Sequence, residues 1–386
     1  MKKISIITGS RSEYGLLKNL IKLIEKDRTF KLQLIVTGMH LSKQHGFTYK
    51  EIISDGIKIR NKINLKIKND SKFEISKSIG KGIDSFTKIF NFNKPDLVLL
   101  LGDRHEILPA ALVALIYNIP VAHIGGGELT EGAIDDSIRH SITKLSHFHF
   151  VANNIYKKRV IQMGESPKNI FVTGGLGVDK IKNLKLLSKK ELEKKIKFKI
   201  KKRNLIVTFH PVTLEKKSSK IYFSQILEAL KKLKDTSIIF TMPNNDPEYS
   251  VIFKMVKKFV KENKNSIYFL NLGHLKYFSC VKYSKLVLGN SSSGILEVPN
   301  LKVPTVNIGN RQKGRIKGKS VIDCKPERTA ILNAIKKAEL FYSKRQTKSF
   351  KNPYGKQGAT RKIYKILKNL NLKNAVQKKF FDINFK

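Results

Sequence analysis

The strongest constraint on the fold is a rhythm: short, almost uninterrupted apolar runs rich in β-branched residues alternate with helical patterns along the chain. KISIIT, LQLIVT, DLVLLL, PVAHI, FHFVA and NIFVT mark the first half, and NLIVTF, SIIFTM, SIYFL, KLVLG and VPTVNI repeat the pattern in the second. Strands that are apolar on both faces and joined by helices belong to parallel sheets covered on both sides. A length of 386 residues with 41% hydrophobic residues supplies material for two such cores. The expected fold is therefore α/β, with two Rossmann-like doubly wound domains. Residues 178–203, VDKIKNLKLLSKKELEKKIKFKIKKR, are charge-dense and contain a capping-box pattern, Ser188 with Glu191, that opens a helix. The seam is placed there, giving an N-terminal domain over 1–180, a C-terminal domain over 181–355, and a basic helix over 356–386 packed on the body.

Other classes of protein are less well supported. A net charge of +46 invites a nucleic-acid reading. Lysine, however, is spread along the whole length on polar faces of amphipathic helices, as in KKLKD and KMVKKFVKENK, and there is no RNP-like motif, zinc-finger spacing or isolated basic tail. Solvated faces account for most of the charge, and no nucleic-acid partner is expected. Pro109, Asn118, Pro120 and His123 interrupt the longest apolar run, Ile107 to Ile124, which reads as a buried helix followed by a buried strand rather than a membrane span. The apolar run after Lys2 and Lys3 stops at Gly9, too early for an export signal. Cys280 and Cys324 have no CxxC or metal-ligand spacing and read as core residues of a protein in a reducing compartment. A cytoplasmic location is expected.

In open α/β sheets the informative residues follow the carboxyl ends of the strands. KISIIT runs into GSRSEYG with Arg11, and KLVLG into NSSSGILEVP; both turns can present backbone N–H groups and a helix N-terminus to a phosphate. Neither has GxGxxG or GK[ST], which argues against NAD, FAD and P-loop chemistry. DLVLLLGDRHE sets Asp103 and Arg104 at a strand end, NLIVTFHP sets His210 at another, and PVAHIGGGE sets His123 and Glu128 at a third. Taken singly, each is more often a cap or a salt bridge than a catalyst; their convergence on one type of position raises the functional reading. Ile134, Ile138, Ile142 and Leu145 form a stripe that a helix would bury, leaving Asp135, Asp136, Arg139 and His140 elsewhere on its surface, with Asp135–Arg139 and Asp136–His140 as i,i+4 pairs.

GSRSEYG, VTGMHLS, LGDRHE, HIGGGELTEGAIDDSIRHSITK, FHP, GNSSSGILEVP and NIGNRQKGR occur in the order and context found in the hydrolysing UDP-N-acetylglucosamine 2-epimerases of sialic acid and related nonulosonic acid synthesis, and the chain resembles that family up to about residue 325. The resemblance implies a glycosyltransferase-B type architecture: two Rossmann-like domains, a nucleotide sugar in the cleft, and a C-terminal helix returning to the first domain. It assigns Arg11, His210, Ser291, Ser292, Glu297 and Arg311 to the nucleotide, and Asp103 and Asp135, with Glu128 and His123 beside them, to proton transfer. The implied reaction removes the C2 proton, expels UDP to give a 2-acetamidoglycal and adds water with inversion at C2. It implies no metal and no redox cofactor, and the family habit is a dimer or tetramer.

One position departs from the pattern: two residues after His123, where the family usually carries glutamate or histidine, this chain has Gly125. The expected substrate is UDP-N-acetylglucosamine, giving N-acetylmannosamine. The alternatives are the same reaction on UDP- or GDP-N,N'-diacetylbacillosamine of the legionaminic acid route, a glycosyltransferase on the same fold and, from another class, a basic nucleic-acid-binding protein.

Overall fold

The computed structural model describes residues 1–43, 45–67, 71–131, 133–182, 184–212, 218–243, 248–344, 350–355 and 358–383. The chain divides into two compact units, one built from residues 1–128, 135–179 and 354–386, the other from 129–134 and 180–353.

The first unit contains β1 (Lys2–Thr8), β2 (Phe30–Thr37), β3 (Asn61–Ile63), β4 (Leu97–Leu101), β5 (Val121–Ile124), β6 (Phe148–Val151) and β7 (Ile170–Val172). They form one sheet in the order β3-β2-β1-β4-β5-β6-β7, with parallel pairing throughout. Alternate residues feed opposite faces: Ile4, Ile6, Leu97, Leu99 and Leu101 enter one core, Ile7, Val98 and Leu100 the other. Two-sided burial explains why these strands are nearly unbroken apolar runs. The run Ile107 to Ile124 resolves into the helix Leu108–Ile116 and β5. Among the described residues, no helix is long and apolar enough to cross a membrane.

The second unit repeats the plan with β8 (Arg203–Thr208), β9 (Thr236–Thr241), β10 (Ser266–Phe269), β11 (Leu286–Gly289), β12 (Thr305–Ile308) and β13 (Val321–Cys324). Its order, β10-β9-β8-β11-β12-β13, is that of the first sheet without a seventh strand. In both units the strand order reverses beside the first strand, between β1 and β4 and between β8 and β11, the position where doubly wound sheets open a ligand crevice. Ser188 caps the helix Lys189–Ile196 with the full reciprocal box to Glu191, as the spacing predicts. Cys280 is fully buried, whereas Cys324, at the end of an edge strand, is only partly so.

The C-terminal segment differs from the expected helix over 356–386: among its described residues only Ala359–Asn369 is helical, and those beyond it follow turns and irregular backbone. The helix stops where the apolar spacing stops, since Ala359, Ile363 and Leu367 are its buried stripe. That stripe packs on the helix Arg11–Lys26. Both ends are tied within the first unit: the Asp179 carboxylate accepts the Gly358 and Thr360 N–H groups at 2.5 and 2.7 Å, and the Lys2 ammonium donates to the Leu367 and Leu370 carbonyls at 2.8 Å. An anion at the amino end and a cation at the carboxyl end both complement the helix dipole. Asp179→Ala removes the amino-terminal cap and is expected to lower the unfolding free energy by roughly 1–2 kcal/mol, read as a shifted urea midpoint, with Asp179→Asn recovering part of it.

Candidate active site

In the first unit, side chains gather beyond the carboxyl ends of β1, β4 and β5. After β1, Ser10 caps the helix Arg11–Lys26 in a capping box with Glu13, whose carboxylate accepts the Gly9 and Ser10 N–H groups at 2.6 and 3.2 Å. Burial, with Glu106 nearby, pushes the Glu13 carboxyl up to about 8. Arg11, assigned above to the nucleotide, leaves the first turn of this helix and grips Glu51 with Nε at 2.5 Å and Nη2 at 3.3 Å.

After β4, Gly102 turns the chain with φ +87° and Asp103, Arg104, His105 and Glu106 follow. Glu106 is 1% exposed and is held by Arg104 Nε at 3.2 Å and His105 Nδ1 at 3.3 Å. Burial alone would raise its pKa; Arg104 and His105 outweigh burial and hold the carboxyl below its ordinary value. Arg104 also lies 3.8 Å from Asp135, at the start of the helix Asp135–Leu145.

Arg139 is the largest departure from the sequence reading. The apolar stripe of this helix is only partly interior: Ile142 is fully buried, while Ile134, Ile138 and Leu145 are half-buried. Asp135 and Arg139, expected elsewhere on the helix surface than the apolar stripe, are themselves buried, and Arg139 is 1% exposed. Its guanidinium binds the Asp103 carboxylate, Asp136 Oδ1 at 3.3 Å and the Glu128 carbonyl at 2.9 Å. A buried cation persists only when paired and hydrogen-bonded in this way. Asp136 also meets His140 at 3.3 Å, the expected i,i+4 pair.

His123 is fully buried beneath the site. Its Nε2–H donates to the Gly102 carbonyl at 2.7 Å, and Nδ1 lies 3.2 Å from Thr143 Oγ1. Burial, the largest influence, lowers its pKa to about 3. The ring is thus neutral, and through the Gly102 carbonyl it fixes the loop that carries Asp103. The glycines after it have separate reasons. Gly127, at φ +76°, lies so close to the helix Asn154–Gln162 that an added Cβ would sit 2.5 Å from the Tyr156 carbonyl. Gly125, at φ +95°, has its nearest neighbours at ordinary contact, 3.9 Å away in Gly102.

The second unit has its own cluster at the β8–β11 reversal. Asn290 is fully buried and clamps His210, accepting its N–H at 2.7 Å and donating to its carbonyl at 2.8 Å. The Asn290 carbonyl receives Gln312 Nε2 at 2.9 Å and Arg311 Nη1 at 3.4 Å. Ser291, Ser292 and Glu297 are half-buried around the single-turn helix Ser293–Leu296, and Ser293 Oγ lies 3.2 Å from the Tyr277 hydroxyl. One turn sums few peptide dipoles, so the helix start expected after β11 supplies little macrodipole here. Residues 129–134 join this unit through Glu131 N–H to the Lys313 carbonyl at 3.1 Å and Arg315 to Thr130 Oγ1 at 3.3 Å. Glu131 pairs with Lys313 at 3.1 Å.

The structure therefore places Asp103, Glu128 and His123 at strand ends and loops of the first unit and Asp135 at a helix start there, and His210, Ser291, Ser292, Glu297 and Arg311 in the second; Arg11 falls in the first. The sequence reading did not single out Glu13, Glu106, Asn290 or Gln312. Glu13 is legible as the fourth residue of a Ser-x-x-Glu box, and Asn290 as a polar residue directly after a buried strand.

Two doubly wound parallel units with polar clusters at their strand-order reversals define the class of Rossmann-like two-domain proteins of glycosyltransferase-B type. The profile of the UDP-N-acetylglucosamine 2-epimerase family matches residues 22–368, and the chain belongs to that family. It is 44% identical over 384 residues, 99% of each chain, to a GDP/UDP-N,N'-diacetylbacillosamine 2-epimerase (hydrolyzing) of Campylobacter jejuni. It is 34% identical over 385 residues, 100% of each chain, to a UDP-N-acetylglucosamine 2-epimerase of Neisseria meningitidis. The crystal structure of UDP-GlcNAc 2-epimerase from Neisseria meningitidis bound to UDP-GlcNAc is similar in fold, with TM-score 0.80, 22% identity, and 96% of this chain and 100% of that chain covered.

A neutral buried His123 must take up a proton on unfolding below its ordinary pKa of 6.5, so its contribution favours the native state less and less as pH falls from 6.5 toward 3. Between pH 7 and pH 5 this amounts to roughly 2 kcal/mol. His123→Phe, which cannot titrate, is expected to be less stable at pH 7 but to lose about that much less on acidification, as chemical denaturation at the two pH values would read.

Proposed function

We propose that the chain is a hydrolysing nucleotide-sugar 2-epimerase that converts UDP-N-acetylglucosamine and water to N-acetylmannosamine and UDP, supplying nonulosonic acid synthesis. The observation that carries this reading is the arginine-bracketed pair of acids in the first unit, Asp103 on Arg139 and Asp135 beside Arg104. The arginines hold these carboxylates in place, and a positioned carboxylate is what proton abstraction needs. The second cluster suits anion binding instead, since Ser291, Ser292 and Arg311 offer donors to a diphosphate leaving group and Glu297 offers an acceptor to ribose hydroxyls. His210 stands beside them with its backbone clamped by Asn290.

The chemistry balances with these groups. A carboxylate among Asp103, Glu128 and Asp135 takes the C2 proton while the C1–O bond to the diphosphate breaks. The C–H electrons become the C1=C2 double bond, and the C1–O electrons leave with UDP. Water then adds across the glycal: hydroxide joins C1, and a proton is delivered to C2 from the opposite face. His123 keeps the Asp103 loop in register during both half-reactions. The reading places the enzyme in the cytoplasm as a homo-oligomer.

A second reading, UDP- or GDP-N,N'-diacetylbacillosamine as substrate, is favoured by Gly125. The lack of a side chain at this residue, with nothing nearer than 3.9 Å to where a Cβ would stand, suits a bulkier 4-acetamido sugar, and the name of the Campylobacter jejuni relative includes that sugar. NMR of the products formed from a small panel of UDP- and GDP-sugars decides between the two substrates.

Turnover in deuterium oxide is expected to place deuterium at C2 of the released sugar; retention of the original proton would exclude the elimination route. Asp135→Asn is expected to lower kcat by about 100-fold or more with UDP affinity nearly intact. Arg311→Ala should do the reverse, weakening UDP binding by the roughly 1.5–3 kcal/mol of a charge-assisted hydrogen bond in calorimetry.

A further inference from the structure

The described residues beyond the helix Ala359–Asn369 form a short irregular tail that returns to the first unit at the end of the helix Asp135–Leu145 remote from Asp135. Lys378 is its anchor. The ammonium donates to the Lys144 carbonyl at 2.5 Å and the Ser146 carbonyl at 2.9 Å, in the last turn of that helix and just past it, and to Glu165 Oε1 at 2.9 Å. Glu165 is 2% exposed and also accepts Lys144 Nζ at 2.7 Å and His149 Nε2 at 3.0 Å. Burial opposes its charge, but these three donors prevail and bring its pKa down to about 2. Two further contacts clamp the tail: the Phe381 N–H donates to the Gly164 carbonyl at 2.9 Å, and the Lys144 ammonium lies 5.1 Å from the centroid of the Phe380 ring. Gly164, at φ +83°, leaves no room for a Cβ beneath that ring.

Two routes lead from this anchor to the proposed acid/base set. One is the helix itself, whose carboxyl end Lys378 caps and whose amino-terminal turns carry Asp135 and Arg139. The other runs through Glu165 to His149, which sits opposite His123 in the β5–β6 register; His123 in turn holds the Gly102 carbonyl next to Asp103. We propose that Lys378 is a positioning residue for the epimerase reaction, the tail acting as a strap that fixes the helix Asp135–Leu145 from its far end. A cation capping the last carbonyls of a helix also opposes fraying where the dipole is negative. The kinetic part of the proposal rests on the functional reading above; the mechanical part does not.

The test compares Lys378→Met with wild type in the full chain, by hydrogen–deuterium exchange and by UDP release from UDP-N-acetylglucosamine and UDP-N,N'-diacetylbacillosamine. Exchange in the peptide covering residues 135–146 is expected to quicken by about tenfold, with the β8 peptide unchanged, while kcat falls by about tenfold and KM stays within twofold. Unchanged exchange at 135–146 overturns the strap, and faster exchange with an unchanged kcat overturns the positioning role. If Lys378→Met does not yield folded protein, Phe380→Ala, which loosens the tail but leaves the ammonium, is measured in the same way with the same expected directions. Absence of turnover by the wild type on either sugar nucleotide counts against the functional reading alone, because the exchange experiment still decides the mechanical claim.

Discussion

A guanidinium buried in the first unit organises much of what surrounds it. Arg139 has almost no contact with solvent, so its charge requires partners, and it finds them on three segments: Asp103 after β4, Asp136 in its own helix and the carbonyl of Glu128 in the glycine-rich loop. Removing any one partner would leave a buried cation short of compensation, a cost of several kcal/mol. The requirement works in both directions, since a cation that must be satisfied by three segments also fixes where those segments lie. Asp103 and the start of the helix Asp135–Leu145 are held together through Arg139. Arginine suits this role better than lysine, its planar fork serving several acceptors at once. Among the described residues the buried cations are Arg104, Arg139 and Arg311, with no lysine. The lysines that dominate the net charge stay at the surface, which is why the loudest number in the composition says little about the site.

The second unit meets a comparable demand with a neutral side chain. Asn290 carries both a donor and an acceptor on one amide, and uses both on the backbone of His210, closing β8 onto β11 where the strand order reverses. Gly289 before it has φ +135°, with no space for a Cβ against Thr208. A side-chain amide and a glycine thus hold the two strand ends at the spacing that the loop of Ser291 and Ser292 requires. The shared logic is that a polar residue just past a strand, Asp103 after β4 and Asn290 after β11, ties the strand end to its surroundings where the sheet no longer uses the backbone donors and acceptors.

The sequence made the architecture legible because two-sided burial writes itself as continuous apolar runs. All eleven runs quoted from the sequence fall on strands. The two strands without such a signal, β3 and β13, are sheet edges; NKI and VIDC are short and partly exposed, so neither needs an apolar residue at every position. The helix cap at Ser188 was readable because a capping box depends on residues three apart in the chain. The inward turn of Arg139 was not, because it depends on Asp103, which is distant in sequence. Helical periodicity ranks residues by hydrophobicity, and a fully compensated ion pair is invisible to it. His123 shows the same limit: its place at a strand end was readable, but its burial and its hold on the Gly102 carbonyl are tertiary facts.

The docking of the helix Ala359–Asn369 on the helix Arg11–Lys26 has a consequence for biosynthesis. Residues 354–386 complete the first unit, and the ribosome makes them only after all of 180–353. Until then Tyr14, Leu17, Leu20, Ile21 and Ile24, buried in the finished protein, lack part of their cover. Pairing residues so far apart in the chain is slow, since loop closure must precede the contacts that reward it. The nascent chain therefore carries an exposed apolar face through most of translation, a natural binding site for a holding chaperone.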